Sequence, residues 1–236
     1  MGNETLPQSV IDRCCVVSAG IGRWYPRGID RMQKSLRDVR WKGKTLMYRD
    51  EYPEDCLPVE THGYAFKPYA MKMAIELGSR YLLWIDASVW AIGSIEPVFR
   101  CVMEEGYLFF DNRASAGEWC RDASLAKLEL AREESFDIPE ITSSLVGLDM
   151  EKRGSKEFLE KWTAYANDGE TFLVQPRDND KGLCSSHPRV KGHRYDQTAA
   201  SVLVHRLGMK RKPFPGLYAY YQERGPATVL VNRGMS

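Results

Sequence analysis

Asp86 ends the run Arg80-Tyr-Leu-Leu-Trp-Ile-Asp-Ala-Ser-Val-Trp90, in which five apolar residues precede a carboxylate. Such a run reads as a buried strand that delivers an acid to the rim of a sheet. The preceding segment, 66–78, reads as a helix stopped by Gly78, so the strand is fed by a helix, as in a parallel α/β unit. That places Asp86 at the carboxyl edge, where open α/β sheets bind their ligands, and an acid there holds a metal, a ribose, or a phosphate through a metal. The competing reading is a cap on the following turn. Lys67 stands just before Pro68 in the first turn of the helix, where anions are favoured, and is a candidate phosphate ligand or else a solvated helix residue. Gly20-Ile-Gly22 closes an earlier strand with a flexible turn, but Tyr25 stands where a dinucleotide fingerprint needs its third glycine. Cys184 and His187 share a loop with no third group to orient a thiolate nucleophile.

The elements that must position these residues alternate between strand and helix for about two thirds of the chain. Strands are expected over 13–19, 44–48, 81–85, 106–112 and 141–148. Helices are expected over 28–37, 68–77, 95–105 with Pro97 in the first turn, 117–134, 156–166 and 195–207. Residues 175–192, rich in Pro, Gly, Asp and Ser, form a loop long enough to be functional. The pattern predicts an α/β fold with a mixed, mostly parallel sheet flanked by helices. The whole chain, 1–236, reads as a single catalytic domain, with a flexible N-terminus over 1–11 and a tail over 209–236 packed on it. Trp84 is expected in the core, His205 as a packing residue on the last helix, and Trp90, past the strand end, as a stacking surface for a sugar or a base.

Composition narrows the class. With 236 residues, a full core is available; Lys+Arg 33 against Asp+Glu 32 gives no general electrostatic case for nucleic acid or an anionic membrane. The six cysteines, at 14, 15, 56, 101, 120 and 184, contain no C-x-x-C pair and read as reduced thiols of a cytoplasmic protein. No apolar run is long enough to span a bilayer, and Leu6 stands where a myristoylation motif beginning at Gly2 needs Ser or Thr.

Taken in order, the strand ending Ser18-Ala-Gly20, Lys67-Pro68, Leu83-Trp-Ile-Asp-Ala-Ser88 and His193-Arg-Tyr-Asp-Gln197 resemble the plan of GT-A-fold nucleotide-sugar glycosyltransferases over roughly 12–208. Those enzymes carry an Asp-x-Asp motif after a central strand and commonly use Mn²⁺ or Mg²⁺. Here the motif is Asp86-Ala87-Ser88, with a hydroxyl in place of the second acid. The resemblance implies a nucleotide-sugar donor, a UDP-sugar foremost, touched by Ser18, Gly20, Arg23, Lys67, Asp86, Ser88 and Gln197. It implies Asp86 as metal ligand, with His187, or His193, completing the shell from a late loop. It assigns Asp196 to the reacting centre, as the base of an inverting transfer or the stabiliser of an oxocarbenium-like centre in a retaining one. A dipole-stabilising acid at a helix start is the competing reading of Asp196.

The chemistry fits these residue types. A departing nucleoside diphosphate gains charge that a cation or basic side chains must meet, and hard oxygen ligands suit Mg²⁺ or Mn²⁺. Lys67, Arg23 and Arg27 are the nearest cations, and Ser88 can orient a metal-bound water. The alternatives are a Mg²⁺-dependent nucleotidyltransferase, which should show a glycine-rich basic loop after its first strand, and a sugar-binding module, which needs no acid at both 86 and 196. The acceptor stays open among glycans, small molecules and a hydroxylated base in nucleic acid, with basic stretches at 189–194 and 210–212 available for phosphates.

Overall fold

A computed structural model of the chain describes residues 5–22, 24–173 and 178–233. Five strands form the main sheet: β1 Cys14–Gly20, β2 Lys44–Arg49, β3 Tyr81–Ile85, β5 Tyr107–Ser115 and β6 Pro139–Asp149, in the order β2-β1-β3-β6-β5. β1 pairs in parallel with both β2 and β3, whereas β6 runs antiparallel to both β3 and β5. Four strands thus share one direction and β6 opposes them, which is the mixed, mostly parallel sheet expected. Every residue of β1 and β3 is buried, because helices cover both faces and no alternation survives.

One face carries α3 (Phe66–Glu76), α7 (Arg153–Asn167) and α8 (Tyr195–Arg206) over Val17, Leu82, Trp84, Phe109 and Val146. The other carries α2 (Tyr25–Asp38) and α4 (Glu96–Glu105) over Val16, Leu83, Ile85 and Phe110. Leu6 and Ile11 are buried in this second cluster, and a helical turn, α1, spans Gln8–Ile11. The expectation of a flexible N-terminus over 1–11 is therefore corrected for residues 6–11. Of residues 209–233, Met209, Tyr218, Leu230 and Val231 are buried. Within that stretch β7 (Tyr218–Tyr220) and β8 (Leu230–Asn232) join β4 (Val89–Ala91) in a small second sheet beside the Asp86 turn.

Two further expectations are corrected. Residues 117–134 are not one helix but a 3-10 turn, Ala116–Trp119, and two short helices, α5 Asp122–Lys127 and α6 Arg132–Ser135. Arg121 and Ala131 are extended, and the Arg132 guanidinium takes the carbonyls of Gly117 and Cys120 that a continuous helix would have bonded internally. His205, expected to pack, is exposed on α8.

Candidate functional site

The carboxyl ends of β1 and β3 open into a cleft of about 880 Å³, whose walls include Ala19, Lys67, Asp86, Ser88, Asp196 and Gln197. β6 enters it from the opposite direction: the backbone N–H of Asp86 donates to Ser144 O at 2.9 Å, so Thr142, Ser143 and Ser144 extend the floor. Because β6 is antiparallel, its first half lies where the other strands have their ends.

At the centre one ammonium is shared by two carboxylates. Lys67 Nζ lies 3.0 Å from Asp86 Oδ1 and 2.9 Å from Asp196 Oδ2, with the lysine and Asp196 almost wholly buried and 26 % of the Asp86 side chain exposed. Lys67 Nζ also donates to Ser143 Oγ at 3.2 Å and lies 5.0 Å from the centre of the Tyr64 ring. Burial alone would pull the lysine towards its neutral form, but Asp196 and Asp86 outweigh it and raise its pKa. Burial pushes the Asp196 carboxyl above its usual range, Asp86 adds to the rise, and Lys67 opposes it. The three groups carry a net charge of −1 when all are ionised.

Trp84, fully buried on β3, donates its indole N–H to Asp86 Oδ1 at 2.8 Å, so the core tryptophan aims the carboxylate. The Trp162 indole N–H, on α7, donates to Asp196 O at 3.1 Å and pins the start of α8. Gln197 accepts the Ser143 backbone N–H at 3.1 Å. Beside them Tyr64 (φ 62°) and Tyr195 (φ 44°) hold left-handed backbones rare for aromatic residues and face each other with ring centres 5.7 Å apart in the cleft wall. Such conformations cost on the order of 1–3 kcal/mol each and persist where the surroundings over-determine them.

Behind the cleft lies a second buried carboxylate. Glu140 has no exposed surface; its Oε2 takes Asn112 Nδ2 at 2.6 Å and Arg194 Nη1 at 2.5 Å, and Arg194 lies 3.7 Å over the Trp119 ring. Burial raises its pKa, opposed by Arg194, Asn112 and Gln197. Asn112 and Arg194 line the cleft, so this pair presents polar groups without net charge.

The sequence-derived candidates divide. Asp86, Ser88, Lys67, Asp196 and Gln197 converge on the cleft. Ser18 does not line it: fully buried, its hydroxyl donates to Ile85 O and ties β1 to β3 beneath Asp86. Gly20 also faces away, and a Cβ on it would meet Tyr25 O at 2.4 Å, so it serves the approach of α2 to β1. Arg23 lies outside the described residues. His187 is corrected as a metal ligand: its ring packs on Phe136 and its Nε2 faces Glu133 at 3.4 Å, away from the cleft walls. His193 lines the cleft, but Ser124 Oγ and Thr171 O, at 3.3 and 3.2 Å, engage its Nε2. Lys67, expected as a phosphate ligand, has its ammonium committed to the two aspartates. Trp90, expected as an open stacking surface, lies between Tyr221 and Arg31.

The acids do not suit a metal held by protein alone, since no group of three His, Cys, Asp or Glu among the described residues is arranged for one. They fit a cation carried in by a diphosphate. Asp86 Oδ2 takes no hydrogen bond from a described residue, Ser88 lies two residues on in the same wall, and Mg²⁺ is commonly held by one or two carboxylates plus substrate phosphates.

Sequence reasoning missed Tyr64, Asn112, Ser143, Tyr220 and Asn232, and offered Arg194 only as part of a basic stretch. Asn112 alone left a direct signal, at the end of a strand like Asp86; the direction of β6 and the path of residues 209–233 are tertiary facts.

No family model matches the chain, and no curated protein matches it in sequence. Solved structures do match in fold. One is a glycosyltransferase involved in the glycosylation of the major capsid of PBCV-1, at TM-score 0.54 and 14% identity, covering 93% of this chain and 94% of that one. Another is the apo structure of the bifunctional glycosyltransferase WbbM, at TM-score 0.51 and 7% identity, where 93% of this chain spans 45% of the other. At these identities the likeness is one of fold: the chain has the GT-A-type glycosyltransferase fold.

Proposed function

We propose that the protein transfers a sugar from a nucleoside-diphosphate sugar, a UDP-sugar foremost, to an acceptor hydroxyl. The observation that carries this reading is Asp86 and Asp196 held on one buried lysine at the carboxyl edge of a GT-A-type sheet. The apolar wall of Ala19, Ile21, Val59, Tyr64 and Phe66 suits a nucleoside, and the polar wall of Asn112, Thr142, Gln197 and Arg194, the last paired with buried Glu140, suits hydroxyls.

In the transfer, the acceptor oxygen bonds to the anomeric carbon as the bond from that carbon to the β-phosphate oxygen breaks, and the bonding pair leaves with the diphosphate. In an inverting course the acceptor proton passes to the Asp196 carboxylate, whose raised pKa makes it a stronger base than an ordinary aspartate; in a retaining course the same charge steadies the oxocarbenium-like centre. Lys67 positions both acids and keeps two like charges in one site. Asp86 and Ser88 would hold Mn²⁺ or Mg²⁺ against the diphosphate, where the ion supplies charge neutralisation for the leaving group. The triad's net −1 charge repels a bare diphosphate, which favours a cation as third partner.

Calorimetry with UDP, GDP, CDP and dTDP, each with and without Mn²⁺, tests the reading. UDP is expected to bind best and more tightly with the ion, and Asp86→Asn to remove the ion's contribution while the protein stays folded. Binding of none of the four would sink the proposal. Binding of a nucleoside triphosphate in preference to all diphosphates would favour the nucleotidyltransferase alternative.

A further inference from the structure

Arginines flank a stacked pair of aromatic rings in a column beside Ser88. The Arg31 guanidinium lies 4.3 Å over Trp90, Trp90 stacks on Tyr221 with centres 5.8 Å apart and planes at 27°, and Arg224 lies 4.0 Å over Tyr221. Arg233 approaches the same ring at 5.4 Å. Three segments converge to build it: α2 gives Arg31, β4 gives Trp90, and the parallel pairing of β7 with β8, Tyr220 opposite Asn232, brings Tyr221 and Arg233 together. One helical turn before Arg31, Arg27 lies 5.7 Å over Trp24.

The column adjoins the cleft through neighbouring residues. Tyr25, Ser88, Tyr220 and Asn232 line the cavity, and Arg31 Nη2 donates to Ser88 O at 2.9 Å, in the turn that carries Asp86. Residues 24–31 and 221–233 hold four arginines against two acids, Asp30 and Glu223, a net +2 in a chain whose total is +1. Of the basic stretches picked out from sequence, Lys191, Arg194, Arg211 and Lys212 face Glu118, Glu140, Asp111 and Glu105. A guanidinium laid on an aromatic face has lost its rotamer freedom and presents its N–H edge as a fixed fork, the form in which arginine best meets phosphate.

We propose that the column of Arg31, Arg224 and Arg233 on Trp90 and Tyr221 is a phosphate-binding site at the mouth of the cleft. The inference builds on the nucleotide-sugar reading, and the phosphate has two possible sources: the donor's diphosphate, or a phosphodiester acceptor. Calorimetry on the wild type and on Arg224→Gln/Arg233→Gln, with uridine, UDP, pyrophosphate and a short oligothymidylate, separates them. Lys161→Gln, an exposed lysine on α7, controls for loss of charge in general.

Unchanged uridine binding reports an intact cleft. With that held, a loss of about tenfold or more for UDP and pyrophosphate assigns the column to the donor, and a like loss for the oligonucleotide alone assigns it to the acceptor. Equal affinities in wild type and double variant, or an equal loss in Lys161→Gln, overturn the site. A wild type that binds no UDP overturns the nucleotide-sugar reading alone, because the pyrophosphate and oligonucleotide comparisons still decide the column; a wild type that binds no phosphate compound overturns both.

Discussion

Asp196 and Asp86 are the same kind of side chain in different surroundings. Asp196 is sealed against Lys67 and lifted in pKa by burial, whereas Asp86 keeps 26 % of its side chain exposed and is aimed by Trp84. The buried one suits proton transfer and the exposed one suits a diphosphate and its cation. Asp196→Asn is expected to cut turnover by about 10² or more while leaving UDP affinity within a few-fold, as for a group that acts in the transition state. In an inverting course the rate should also fall as pH drops through the Asp196 pKa, because the protonated acid no longer accepts a proton; the raised pKa moves that fall above the range of an ordinary aspartate. Steady-state transfer rates across pH, with calorimetry of UDP, measure both. Equal losses in UDP binding and turnover would make Asp196 a positioning residue.

Between elements, the closest approach that matters to the site is α2 on the Asp86 turn. A Cβ at Gly28 would lie 2.1 Å from Ala87 O and 3.0 Å from Ala87 Cβ, so the helix rests on the backbone between the two site residues Asp86 and Ser88. Gly28→Ala must move either the helix or the turn, and overpacking of this kind costs typically about 1–3 kcal/mol. Urea unfolding should show that loss, and calorimetry should show weaker UDP binding with Mn²⁺ than in wild type. A variant that loses stability yet binds UDP with Mn²⁺ unchanged would separate α2 from the site. The sequence marked this region through the run to Asp86, since an apolar segment ending in an acid is a local signal. It also offered Ser18 and Gly20 as ligand contacts, but a strand buried on both faces does not reveal in its sequence which neighbour each residue meets. Ser18 bonds Ile85 and Gly20 admits α2. The antiparallel course of β6 was equally hidden, and with it the floor at Ser143 and Ser144.

Across the whole molecule, the fold class was legible because alternating apolar runs and helical segments leave few ways to build a sheet. The mouth of the cleft was not, because residues 209–233 form their second sheet only through pairing with β4 far away in sequence. His193 belongs to this scale. It joins α8 to α5 and to the segment after α7 through Ser124 Oγ and Thr171 O, and its ring meets Tyr195 edge-on at 5.1 Å. Burial first, and the Arg121 charge second, push its pKa from 6.5 down to about 3. The folded protein therefore keeps His193 neutral over that interval while the unfolded chain takes up a proton. The unfolded state binds more protons, so stability rises with pH there and is lost as pH falls from about 6.5 towards 3, by up to about 1.4 kcal/mol per pH unit from this one group. His193→Gln has no proton to take up, so its unfolding free energy should fall less steeply than that of the wild type between pH 6.5 and 4.5, whatever its absolute stability. Urea denaturation at four or five pH values in that range gives both slopes, and parallel slopes would mean that His193 is charged in the folded protein and that the junction at the start of α8 is open to water.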